Sequence, residues 1–184
     1  MKFRSYSSVD KQEYETEVRS AKMDDVAEFV QTWVSYYINK SLTNPQFKYD
    51  LFKWNKIIKA SLTMGFGHKC FSAYTESRLD GLLSLSKDEN LHIDYIATAP
   101  WNYYVSGKIR RIGYGLIYYA IRTSHYIGLN GEFYLNALPQ AEKFYERIGM
   151  VHTGKVVHEL KEYHLSTTKA VDFETVFKKY VISE

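Results

Sequence analysis

Arg110-Arg111-Ile112-Gly113-Tyr114-Gly115 decides the fold because of what stands on either side of it. Leu91 to Ala97 is an apolar segment that reads as a strand, closed off by Pro100, and Leu116 to Ile121 reads as the body of a helix. Glycines opening a helix after a strand have a physical task. Without Cβ atoms the backbone approaches a ligand closely. The first helical turn offers unpaired N–H groups and the positive end of its dipole to an anion. The two arginines add mobile charge. Together these parts predict a cradle for a pyrophosphate.

Two familiar cradles fail on single residues. The dinucleotide turn Gly-x-Gly-x-x-Gly needs a third glycine where Tyr118 stands. A P-loop needs Ser or Thr after its lysine, but Gly107-Lys108 is followed by Ile109, and Asn102 stands in the place of the first glycine. Downstream, Glu132 to Ala137 reads as a strand, followed by Ala141-Glu142-Lys143-Phe144-Tyr145-Glu146-Arg147-Ile148-Gly149-Met150. Ala141, Phe144, Tyr145 and Ile148 share one helical face, and Gly149 falls where a helix C-cap needs positive φ.

The two segments, in this order and spacing, resemble the paired hallmarks of the Gcn5-related N-acetyltransferase superfamily. These are Arg/Gln-x-x-Gly-x-Gly/Ala for acetyl-CoA, then Ala-x-x-Phe-Tyr-Glu-Arg/Lys-x-Gly. The motif resemblance covers about residues 91–155; the first ninety residues agree by element order. It implies an α/β fold, a mixed sheet with helices on both faces in the order β-α-α-β-β-β-α-β-α-β-β. It also implies acetyl-CoA as cosubstrate, with no metal. Cofactor contacts would come from Ile96, Ala97 and Thr98 along the strand, Arg110, Arg111, Ile112, Gly113, Tyr114 and Gly115 at the turn, and Asn136. The family's asparagine before Ala-x-x-Phe-Tyr is Leu138 here, and Asn136 is the nearby substitute.

Chemistry sets the remaining roles. A lysine-like amine has a pKa of ~10.4 and must lose a proton before it attacks a thioester. A general base and a general acid each contribute ~10²–10⁴-fold. The resemblance implies Tyr145 as the acid. For the base, the family often uses a carboxylate on the strand before the turn, the position of Asp94. Period-two counting puts His92, Asp94, Ile96 and Thr98 on one face, with His92 and Asp94 about 6.6 Å apart along the strand. Asp94, His92 and ordered water all remain open as the base.

Composition bounds the rest. The 184 residues read as a single domain, 1–184, with polar residues 1–11 as an arm. One cysteine, Cys70, excludes an internal disulfide and fits a reducing, cytoplasmic compartment. No apolar run approaches the ~20 residues of a membrane span, and no signal peptide is evident. A net charge of +3 suits an anionic cofactor without arguing for nucleic acid.

Tyr14 to Arg19 reads as the first strand, and Val26, Phe29, Trp33 and Tyr37 have helical spacing after Asp24-Asp25. Asn44-Pro45 starts a second helix through about Leu62; Cys70 to Thr75 and Gly81 to Leu85 are strands, and Ser77 to Asp80 is a turn. Glu159 to Ser166 reads as a last strand and Asp172 to Tyr180 as a terminal helix. The family usually has only a few residues between Pro100 and the glycine turn, so Trp101 to Ile109 is an insertion beside the cofactor mouth, placed to act as lid or acceptor wall. Trp33, Tyr36, Tyr37, Phe47 and Trp54 border the expected acceptor region.

The resemblance implies a small-molecule or peptide amine as acceptor, and the chain is expected to be a monomer or homodimer. Two other readings stay open. One is a catalytically silent acyl-CoA-binding domain of the same fold. The other is an RNA-binding or tRNA-acetylating module using Lys48, Lys53, Lys56 and Lys59 on the second helix.

Overall fold

A computed structural model describes residues 1–41, 56–59, 68–104 and 109–183. β1 (Lys2–Ser7) and β2 (Glu13–Ser20) precede α1 (Met23–Phe29), a π-helical turn (Val30–Val34), α2 (Ser35–Ser41) and α3 (residues 56–59). β3 (His68–Thr75), β4 (Arg78–Lys87) and β5 (Leu91–Thr98) form a meander. α4 (Pro100–Tyr104) and β6 (Ile109–Arg110) lead into α5 (Ile112–Tyr126). Then come β7 (Phe133–Ala137), a 3-10 turn (Pro139–Ala141), α6 (Glu142–Arg147), β8 (Val151–Val157), β9 (Leu160–Leu165), α7 (Thr167–Phe177) and β10 (Val181–Ser183).

The strands make one sheet in the order β10-β1-β2-β3-β4-β5-β7-β9-β8, with β6 paired to β1. Neighbours run antiparallel except β5 and β7, which are parallel. Helices cover both faces, as expected. On one face Ile112, Leu116, Ile117 and Ile121 of α5 pack on Leu83, Leu85, Leu91, Ile93, Phe133 and Leu135, with Phe173 and Phe177 of α7 joining them. On the other, Val26, Phe29, Trp33 and Ile58 pack on Cys70, Leu79 and Leu82. The Trp33 indole N–H donates to the Leu79 carbonyl at 3.0 Å, which satisfies a polar atom that burial would otherwise penalise.

The polar N-terminus is not an arm. Lys2–Ser7 forms β1, paired with β2 on one side and with β10 and β6 on the other. Phe3 is fully buried beneath α5, a burial worth roughly 1.5–3 kcal/mol. The terminal helix begins at Thr167, five residues before the expected start, and β10 follows it at the sheet edge. Asp80 lies within β4, so the turn is confined to Glu76 and Ser77. Most of the predicted second helix lies outside the described residues; residues 56–59 are helical and bury Ile58. Among the described residues no helix is long and apolar enough to cross a membrane.

Candidate active site at the fork between β5 and β7

β5 and β7 are joined by only two rungs, His92↔Tyr134 and Ile93↔Leu135. Beyond them each strand stays paired to its outer neighbour, β5 to β4 as far as Gly81↔Thr98 and β7 to β9 as far as Ala137↔Lys161. The two inner edges therefore face each other unpaired over Asp94–Thr98 and Asn136–Ala137. Exposed strand edges of this kind accept an extended ligand as an additional strand.

A bulge drives the separation. The register between β4 and β5 passes from Ser84↔Tyr95 to Leu85↔Ile93, leaving Asp94 as the extra residue. A bulge increases local twist and re-aims side chains. It also breaks the period-two count. His92 lies opposite the α5-side core that takes Leu91 and Ile93, but Ile96, beyond the bulge, packs with that core, and Ala97 packs with the α1 side. Thr98 approaches α5: a Cβ placed on Gly113 would stand 3.9 Å from Thr98 Cγ2. Ile96 and Thr98 thus lie on the opposite face from His92, contrary to the sequence count.

The bulge sends the Asp94 carboxylate over β4 toward β3. Oδ1 accepts from Ser86 Oγ at 2.6 Å, and Oδ2 lies 3.5 Å from Ser84 Oγ and 3.2 Å from His68 Nδ1. Both oxygens are engaged. His68 carries no motif, and only the tertiary structure links it to Asp94. His92 is different. Its ring stacks on Tyr134 with centroids 5.5 Å apart, and it has no hydrogen-bond partner among the described residues.

The glycine turn divides its labour. Arg111 is the α5 N-cap, with φ of +77°, and its carbonyl accepts from the Gly115 N–H at 2.8 Å. Gly115 is a packing glycine: a Cβ there would meet Phe3 Cζ at 2.2 Å. Gly113 is not; the nearest atoms to its Cβ position are Phe144 Cζ at 3.7 Å and Thr98 Cγ2 at 3.9 Å, ordinary contact distances. The protein itself leaves room at Gly113, and its N–H belongs to the open first turn of a fifteen-residue helix. Ile112 is buried, and Tyr114 packs edge-on against Phe144, so any anion meets their N–H groups rather than their side chains.

Arg111 departs from expectation: its guanidinium is committed to Glu13 at 2.8 Å and lies 3.9 Å from the Tyr180 ring centroid. Arg110 sits in β6, and its side chain lies outside what is described.

Tyr145 lies in α6, with Gly149 ending the helix at φ +92° as the sequence requires. Its ring is buried beside Ile148, burial pushes its hydroxyl pKa up to about 12, and it has no hydrogen-bond partner among the described residues. Asn136 is exposed and shares the face of Tyr134, away from α5.

The insertion begins as a fixed element. The Trp101 indole N–H donates to Asp80 Oδ1 at 2.7 Å, and its ring meets Trp33 and Tyr36 edge-on. Residues 105–108, the side chains of Tyr103 and Tyr104, and Phe47, Lys48, Lys53 and Trp54 lie outside what is described; Lys56 and Lys59 are exposed on α3. Two cavities of about 750 and 550 Å³ lie away from the fork, one along Glu13, Glu15 and Arg19, the other around Phe71, Tyr119 and Arg122.

A meander, a parallel neighbour entered through a helix, and a fork between those two strands make a specific combination. Solved structures superpose on the fold as a whole. PaiA N-acetyltransferase from Thermoplasma acidophilum, in complex with coenzyme A, superposes with a TM-score of 0.59 at 16% identity, over 82% of this chain and 98% of that one. The fold is that of the Gcn5-related N-acetyltransferases. An acetyltransferase of this family from Staphylococcus aureus Mu50 matches with a TM-score of 0.59 at 14% identity, covering 83% of this chain and 99% of that one. Spermidine N-acetyltransferase from Vibrio cholerae, in complex with CoA and spermine, gives 0.54 at 16% identity, covering 85% and 98%. No protein-family profile and no curated protein sequence matches the chain.

Proposed function

We propose that the chain is an acetyl-CoA-dependent N-acetyltransferase that moves the acetyl group directly to a primary amine within a ternary complex. The observation that carries this reading is the fork: two strand edges left unpaired beside a helix N-terminus where no protein atom comes within 3.7 Å of the Gly113 Cβ position. The backbone of Ile96, Ala97 and Thr98 would hold the pantetheine arm, and the N–H groups of Ile112, Gly113 and Tyr114 the pyrophosphate. The Vibrio cholerae neighbour, whose structure holds spermine, supports a small-molecule amine as the acceptor class.

In the transfer, the amine nitrogen bonds to the acetyl carbon, the C–S bond breaks, and the amine proton leaves to a base. His92 suits that role better than Asp94. Its ring nitrogens have no partner among the described residues, and it stands on a rung where the fork begins, whereas both Asp94 oxygens are occupied. Tyr145 serves the sulfur. Burial raises its pKa to about 12, so the hydroxyl is a reluctant proton donor. The hydroxyl therefore acts by donating a hydrogen bond as charge develops on sulfur, and solvent completes the protonation.

A thermal-shift measurement tests the cofactor. At 100-fold excess over Kd, acetyl-CoA should add about 2.7 kcal/mol, a rise of roughly 5–11 °C, whereas ATP and NADH should add none. No shift with millimolar acetyl-CoA, or an equal shift with ATP, would remove the assignment.

A further inference from the structure

Three half-buried rings stand in file across the fork, on the sheet face opposite α5. His92 of β5 stacks on Tyr134 of β7, with centroids 5.5 Å apart and 29° between planes. Tyr134 stacks on His164 of β9 at 4.4 Å and 17°. Register explains the alignment: His92↔Tyr134 and Tyr134↔His164 are both direct cross-strand partners, so the three side chains rise from neighbouring strands at one level. The far end of the file lies beside Glu132, although His164 Nε2 makes no hydrogen bond among the described residues. His164 Nε2 lies 3.7 Å from Glu132 Oε2, and Glu132 Oε1 accepts from the Thr167 N–H at 3.2 Å and Oγ1 at 2.8 Å. Thr167 is the first residue of α7, which packs into the core through Ala170 and Phe173.

We propose that Tyr134, backed by His164, is a positioning residue that holds the imidazole of His92 toward the fork. The proposal rests on the acetyltransferase reading. An imidazole without a hydrogen bond has two side-chain torsions and nothing polar to set them; here a flat ring against its face does so. The energetic content lies in orientation. A base is effective only when its nitrogen stands within hydrogen-bond reach of the departing proton, and a displacement of about 1 Å can cost ~10²-fold. The Tyr134 hydroxyl is not needed for this, and that separates the proposal from a second acid–base role. No atom or proton changes hands beyond the step already given: the amine proton passes to a His92 ring nitrogen.

The test is release of free thiol from acetyl-CoA, with water or spermidine as acceptor, together with acetyl-CoA affinity by calorimetry. Tyr134→Phe keeps the ring and should stay within about twofold of wild type. Tyr134→Leu should lower kcat tenfold or more while leaving KM for acetyl-CoA within twofold, and His92→Ala should fall at least as far. His164→Leu, which removes the backing ring without touching the Tyr134–His92 contact, should fall by an intermediate factor. Equal circular dichroism spectra and melting temperatures control for folding.

A Tyr134→Leu protein with wild-type kcat, a Tyr134→Phe protein as impaired as Tyr134→Leu, or a rise in KM alone would overturn the proposal. So would a wild-type protein that binds acetyl-CoA and releases no thiol with either acceptor. Absence of acetyl-CoA binding by the wild type would instead overturn the acetyltransferase reading itself.

Discussion

Two glycines two residues apart do different work. Gly115 is bare because the Phe3 ring occupies the space a side chain would take, whereas Gly113 faces ordinary van der Waals distances. Gly115→Val should therefore destabilise the fold by about 1–3 kcal/mol or more through overpacking, seen as a lower urea midpoint. Gly113→Ala should leave that midpoint unchanged or slightly raised, since alanine favours a helix, and yet weaken acetyl-CoA at least tenfold by calorimetry. Unchanged affinity would mean that the pyrophosphate does not pass Gly113. Tyr145→Phe retains the buried ring and removes only the hydroxyl. Its kcat for thiol release should drop about tenfold or more, ~1.4 kcal/mol of transition-state stabilisation, with acetyl-CoA affinity unaltered. At this scale the glycine pattern was readable in the sequence, but the division between packing and binding was not. Phe3 is more than a hundred residues away, and no local pattern announces that its ring lies on Gly115. Separation along the chain likewise hid the commitment of Arg111 to Glu13 and Tyr180.

Hydropathy alone misreads β1. Its inward residues are Phe3, Ser5 and Ser7, so only one of three buried positions is apolar. The hydroxyls are buried because they satisfy one another: Thr16 Oγ1 donates to Ser5 Oγ at 2.8 Å and lies 2.8 Å from Thr75 Oγ1, a polar ladder across β1, β2 and β3. Helices were more legible. Val26, Phe29, Trp33 and Tyr37 are all buried, despite the π-helical turn that runs through Trp33. The insertion after β5 shows what an element-level reading leaves out. Its aromatic content marked it as unusual, but the reason for Trp101 is Asp80, a fully buried carboxylate whose donors are Arg78, Trp101 and Asn102. Trp101→Phe keeps the ring contacts to Trp33 and Tyr36 and removes the shortest of those donors. It should cost about 1.5–3 kcal/mol in chemical denaturation, the scale of a hydrogen bond to a charged group, with acetyl-CoA affinity intact. A cost near zero would show that Arg78 and Asn102 suffice to satisfy Asp80.

At the scale of the molecule, an ion pair between partly exposed Arg19 and buried Asp25 joins sheet to helix and gives stability a pH dependence. Asp25 of α1 is fully buried and accepts from Arg19 at 2.7 and 3.0 Å, Ser72 at 2.6 Å, Tyr74 at 3.0 Å and the Lys22 N–H at 2.9 Å. Burial alone would raise its pKa, but Arg19 and the other donors outweigh it and hold the carboxyl below the usual carboxylate range. A depressed native pKa stabilises the fold at any pH above the unfolded value of ~3.9, and that contribution is lost as pH falls through the lower native value. The urea midpoint should therefore decline below about pH 4. Asp25→Asn should be less stable by ~1.5–3 kcal/mol at pH 7, because the charge-assisted hydrogen bonds from Arg19 are weakened, and should show a shallower acid decline. Parallel acid profiles for the two proteins would place the titrating group elsewhere.

The sequence by itself determined the strand of residues 14–19 and the helix after it, the order of the elements from β3 to α6 apart from α4 and β6, the helix N-terminus after β5 and the helix that carries Tyr145. Each rests on local physics: apolar periods of two or 3.6, glycine at a turn, and a helix cap within a few residues. Only the tertiary structure decided which strand edges are left bare and which side chains face the fork. A bulge at Asp94 is a relation between β4 and β5, and it reversed the faces of Ile96 and Thr98 that period-two counting assigned. The stack of His92, Tyr134 and His164 depends on the register of three strands. The extension of the sheet by β1 and β10 depends on pairing between Lys2–Phe3 and Val181–Ser183. Such relations belong to pairs of segments distant in the chain, and a one-dimensional pattern carries no term for them.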